Sequence, residues 1–179
     1  MNIKHILLIT ALLFTYQAQA VDNKYTARVA VVDVQSILEK SLAVQSIRKS
    51  IDQISQTIQQ EMSAKEIEFK NSEEAIIKKR GVLSDDAIEK EISSFQKKVS
   101  DAQRSIQEKR AKLEQAHTEA VSKVHENTIM IIDKMSKERG FNIAIPSSQV
   151  LYATESLNIT EDVIQSLNAQ IKSVPVNYK

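Results

Sequence analysis

Two histidines beyond residue 20, His117 and His125, are the side chains best suited to metal or proton chemistry. Glu114 and His117 form a Glu-x-x-His pair, a spacing that lines the core of carboxylate-bridged metal bundles. Such a centre needs a second copy of the pair and two further glutamates on facing helices. The sequence holds no second copy, so His117 reads as a seam or surface residue. There is no cysteine, which removes thiolate metal sites and disulfides. Two glycines, Gly81 and Gly140, are too few for a Gly-rich phosphate loop, and no serine stands in a nucleophile-elbow pattern. The expectation is a non-enzymatic protein with no catalytic, metal or cofactor site.

Charge narrows the partners. Lys and Arg number 24, one of them Lys4, against 23 Asp and Glu, so the chain beyond residue 20 is formally neutral. A nucleic-acid binder would carry a basic face, and a lipid binder a basic stripe. The expectation is no nucleic acid and at most weak contact with membrane lipids. Aromatics are only 4 % and Trp is absent, so a large globular core is not available. Ile, Val, Leu and Ala spread among charges is the composition of long helices.

Residues 1–20 read as an export address. Lys4 and His5 precede an apolar run over residues 6–14, and Ala18-Gln19-Ala20 is a small-x-small cleavage site. The run is too short to span a bilayer. The expected product is soluble, starts near Val21 and lies outside the cytoplasm, without a lipidated cysteine.

The breakers divide the rest. Neither Gly nor Pro occurs in residues 27–80 or 82–139. Lys78-Lys79-Arg80 precedes Gly81, and Lys137 and Arg139 precede Gly140, which suits two helix C-termini. Ser84 reads as an N-cap, with Asp85 and Asp86 in the next first turn. The spacing predicts helices over about 36–80 and 85–139 joined by a turn at 81–84, hence an antiparallel hairpin. Ile88, Ile92, Phe95, Val99, Ala102, Ile106 and Leu113 mark a coiled-coil seam, interrupted at Lys109 and continued by Ala120, Val124, Ile131 and Met135. Ile47, Ile51, Ile54, Ile58, Met62, Phe69 and Ile76 supply the facing stripe. Lys109, Ala102 and Ala120 should make the mid-arm seam weak.

A hairpin with so narrow a seam needs a base. The Val-rich run over residues 27–34 and the alternating 141–145 read as strands, and 150–153 as a short third strand. Thr160 reads as the cap of a last helix carrying Val163, Ile164 and Leu167, with the sequon-like Asn158-Ile159-Thr160 as its lead-in. The fold class is therefore α+β, mostly α. Residues 36–139 form the arm, and residues 21–35 with 140–179 form a small body. Three short strands cannot close a sheet alone, so Val29, Val31, Phe141, Ile143, Ile145 and Leu151 are assigned to self-association, with the number of subunits open.

Residues 140–145, then Val150-Leu151-Tyr152-Ala153, then residues 158–164, placed after a long hairpin, resemble the Skp/OmpH family of periplasmic chaperones. The resemblance spans essentially the whole chain beyond the export address. It implies a homotrimer whose strands join in a central body and whose three arms enclose a cavity. Unfolded outer-membrane proteins would be held there, without ATP. Members are commonly basic and this chain is neutral, so strong electrostatic capture is not expected. Apolar arm residues off the seam, Ile67, Ile77, Val82 and Leu83, are the candidate client contacts, Val82 and Leu83 alternatively packing the tip turn. Lys78, Lys79 and Arg80 are candidate anion contacts at the tip, or simply complements to the helix dipole. The alternative function is a coiled-coil spacer or adaptor of the cell envelope.

Overall fold

A computed structural model of the protein describes residues 26–179. The export address read in residues 1–20 lies outside the described residues. The chain runs β1 (Val29–Val32), α1 (Val34–Lys40), α2 (Leu42–Lys79), α3 (Asp85–Arg139), β2 (Ile143–Pro146) and α4 (Thr160–Gln170), with two 3-10 turns before α4. Helices α2 and α3 have 38 and 55 residues. At 1.5 Å per residue they measure about 57 and about 82 Å.

The helix expected from about residue 36, with a break near Ser41 left open by the sequence, is in fact two. Asp33 caps α1, its carboxylate accepting from Ser36 N–H at 3.1 Å and Ser36 Oγ at 2.9 Å. Ser41 is extended (φ −69°, ψ 126°) and fully buried. Its N–H closes α1 on Ile37 O, and its hydroxyl accepts from Val44 N–H to open α2. The freed Leu42 N–H donates to Asn168 Oδ1 at 2.8 Å, so α4 satisfies the break.

The two glycines differ. Gly140 has φ +76°, the left-handed geometry that ends α3. Gly81 is not left-handed: α2 ends through ordinary turn bonds from Val82 and Leu83 N–H to Lys79 O. Ser84 does occupy the N-cap of α3, but through its backbone carbonyl, its side chain making no capping bond.

β1 and β2 pair in parallel, with Val29 opposite Ile143 and Val32 opposite Pro146. The hairpin supplies the long crossover that parallel strands need. Asn142 locks the entry, accepting from Arg28 N–H at 2.8 Å and donating to Thr26 O. The third strand expected at residues 150–153 does not form. Leu151 is fully exposed and Tyr152 is 83 % exposed, and β1 instead bridges Asn158 on its other side. Thr160 is likewise not a cap. Its hydroxyl accepts from Asp33 N–H at 2.8 Å, a bond across 127 residues, and donates to Asn158 Oδ1. Asn158 Oδ1 also accepts from Thr160 N–H, and Ile159 takes the N-cap of α4 through its backbone carbonyl, which accepts from Val163 N–H.

Ala30, Val32, Ile37, Ala43, Val44 and Ile47 pack with Ile159, Val163, Ile164 and Leu167 of the last segment and with Val124 and Ile131 of α3. The core therefore sits entirely at the base of the hairpin.

Candidate functional site

Burial along the hairpin separates a sealed base from a thinly closed arm. The α3 residues Ala116, Ala120, Val124, Thr128, Ile131 and Met135 are buried. Ala116 and Thr128 were not part of the expected stripe. Ala116 continues the 4-3 spacing of Ile106, Lys109 and Leu113, and Thr128 lies with Val34, Ile37 and Leu38 of α1 along one groove. Beyond that region Ile88, Ile92, Phe95, Val99, Ala102, Ile106 and Leu113 are only half-buried. On α2, Ile58 is the last buried residue, and Met62, Phe69 and Ile76 are half-buried. A two-helix seam has solvent on both edges, so it cannot exclude water from its knobs. Phe69 and Phe95 meet edge-to-face, centroids 6.0 Å apart at 87°.

Lys109, the polar residue in the seam, pairs with Glu61 of α2. The hydrogen bond to Glu61 raises the Lys109 pKa above the usual lysine value. Nearer the tip, Lys79 bonds Glu91 at 2.8 Å, which lowers the Glu91 carboxyl below its ordinary range. Of the three basic tip residues, Lys79 is thus spent on closing the hairpin. Lys78 and Arg80 point to solvent.

The off-seam apolar residues are outward-facing. Val82 is 83 % exposed and Ile67, Ile77 and Leu83 are also exposed. Ile77, Val82 and Leu83 gather at the tip. Ile67 stands ten residues below Ile77, about 15 Å along the helix and about 80° round it, so it does not join them.

At the base the assigned self-association residues divide. Val31 is buried inside the protomer, Val29 and Ile145 are half-buried, and Phe141 packs on the core. Ile143 and Leu151 face outward, with Tyr152 and Leu157 beside them in the same segment. Tyr152 and Leu157 were missed because the pattern of residues 150–153 suggested an internally paired strand. The outer edge of β2 has no strand against it among the described residues. An apolar groove, about 460 Å³, lies between α1 and α3 and is lined by Val34, Leu38, Val121, Ile129, His117 and His125. Glu114 and His117 both border it, and among the described residues no three His, Asp or Glu side chains converge. No helix among the described residues is long and apolar enough to cross a membrane.

Comparison with known proteins gives one family and one architecture. The sequence profile described as "Outer membrane protein (OmpH-like)" matches residues 28–167. A crystal structure of a candidate outer membrane chaperone (OmpH-like) from Caulobacter crescentus superposes with a TM-score of 0.79. It is 20 % identical and the alignment covers 86 % of this chain and 90 % of that one. No curated protein matches the sequence significantly.

Proposed function

The chain belongs to the OmpH-like family, and from that premise we propose that it is an ATP-independent holding chaperone of the bacterial periplasm. Its clients are unfolded outer-membrane proteins, taken into a cavity between arms and kept from aggregating in transit. The export address in residues 1–20 supports the periplasmic placement.

One observation carries the reading. The arm projects far beyond the sealed base, with its seam half-open and Ile77, Val82 and Leu83 exposed at its end. Single exposed apolar residues are ordinary, but three at the tip of a neutral, deformable hairpin offer weak and exchangeable contacts. A holding protein needs that, since adaptable surfaces accept many partners where a deep specific pocket selects one. The outward Ile143, Leu151 and Tyr152 and the open edge of β2 support assembly through the base, as a trimer by family resemblance.

The test is native mass of the protein alone and with a urea-unfolded β-barrel membrane protein diluted into it. A trimer that keeps the client soluble at near-stoichiometric ratio is the expected result. A monomer or dimer that leaves the client to aggregate refutes the proposal and favours an envelope spacer. A Val82→Asp, Leu83→Asp variant should keep the native mass and lose holding capacity. Full capacity in that variant removes the tip from the client surface.

A further inference from the structure

Of the four methionines, Met62, Met130 and Met135 lie in the described residues, and each has a different setting. Met135 is buried in the base, 7 % exposed, and Met130 faces outward, 59 % exposed. Met62 is half-buried and stands in the α2–α3 seam, one turn past Ile58, the last buried residue of α2. It lines an open groove of about 580 Å³ along one edge of the seam, with Phe69, Val99, Ala102 and Ile106 as the apolar floor. Arg110 of α3 stands on the rim of that groove, and its Nη2 donates to Met62 Sδ at 3.3 Å.

A thioether is a weak acceptor, so this hydrogen bond adds little stability. Its meaning is geometric. The donor marks a sulfur lone pair that faces the exposed rim and not the helix interface. A lone pair so placed is where a peroxide transfers oxygen. The sulfur attacks one oxygen of hydrogen peroxide, the O–O bond breaks, and the proton on the transferred oxygen passes to the departing hydroxide. Sulfur loses two electrons and becomes a sulfoxide, and the peroxide becomes water. The new oxygen is a strong acceptor formed beside the guanidinium, so a charge-assisted N–H···O bond replaces the N–H···S one. Methionine has three rotatable bonds, which lets the side chain follow its oxygen to the rim.

We propose that Met62 is an oxidation site on the arm, that Arg110 holds its sulfoxide on the rim, and that the seam thereby loses an apolar contact and the floor of the groove opens. Oxidation of Met130 leaves the seam untouched, because that side chain faces outward, and the base shields Met135. The loosening is a property of the arm alone and does not depend on a client.

The full chain is treated with dilute hydrogen peroxide and digested, and the peptides are weighed by mass spectrometry. Met62 and Met130 should each gain one oxygen before Met135 gains any. The two methionine sulfoxide reductases, each specific for one sulfoxide epimer, are then applied to the peptides. Met130 should give both epimers in similar amounts and Met62 one in excess, since one lone pair faces the oxidant. Arg110→Ala should move the Met62 ratio toward even, because the thioether is then free to turn. In a Met130→Leu chain, oxidation should speed amide exchange in residues 58–69 and 99–113 on the order of tenfold and leave 120–135 unchanged. Met62→Leu, a volume-conserving change, should make exchange in the arm indifferent to peroxide. A Met62 that stays unoxidised, an even epimer ratio there, a ratio indifferent to Arg110→Ala, or an oxidised arm that exchanges no faster overturns the proposal.

Discussion

Replacing each glycine by alanine separates two turns that look alike in sequence. Gly140 holds φ +76°, and a Cβ there would lie 3.0 Å from the Arg28 guanidinium. The left-handed backbone costs an L-residue about 1–2 kcal/mol. The Arg28 contact adds little, because the guanidinium is the far end of a flexible side chain. Gly140→Ala should therefore lose about 1–2 kcal/mol, which for a protein of this size lowers Tm by roughly 2–8 °C. Gly81 has no positive φ and nothing within 4 Å of its Cβ position. Gly81→Ala should be neutral or stabilising by up to about 1 kcal/mol, since alanine restricts the unfolded chain. Thermal unfolding followed by far-ultraviolet circular dichroism reads both, at one protomer concentration because association shifts Tm. Gly140→Asn gives a third point, with a smaller loss because Asn tolerates this geometry. Equal losses at the two glycines would refute the conformational argument and make both turns simple C-caps.

Leu167 is fully buried and Ile76 half-buried at the thin end of the seam; Leu167→Ala should cost about 2–5 kcal/mol and Ile76→Ala clearly less, read by urea unfolding. Amides in residues 62–106 should exchange hydrogen faster than those in 116–135, since local opening follows burial; uniform protection along α3 contradicts the picture of a weak arm. Hydrogen bonds from the Ser36 backbone and then its hydroxyl lower the Asp33 pKa below 3.8. Its cap is therefore in place at neutral pH and is lost as pH falls through the lowered folded-state pKa, so the Ser36 amide resonance should titrate with a midpoint below the ordinary aspartate value.

The sequence by itself determined the hairpin. Helical periodicity set the stripe from Ile47 to Ile76 and from Ile88 to Met135, and Gly140 and Asp85-Asp86 set ends that depend only on neighbouring residues. Local rules suffice where the cause is local. The tertiary structure decided the rest. Ser41 breaks the first helix only because Asn168, 126 residues away, receives the Leu42 N–H. Thr160 became a tie to Asp33 rather than a cap, and Ile159 took the N-cap of α4, because β1 ends beside them. Leu151 looked like a strand residue, but β1 had already filled its second edge with Asn158. The same split governs the candidate site. Ile67, Ile77, Val82 and Leu83 were legible because they fall outside the seam period. The cover that the chain after α4 gives the core was not, because Val174 and Val176 alternate over too short a run to reveal that they join it. Periodicity tells which face of a segment seeks cover; only the folded chain supplies the surface that provides it.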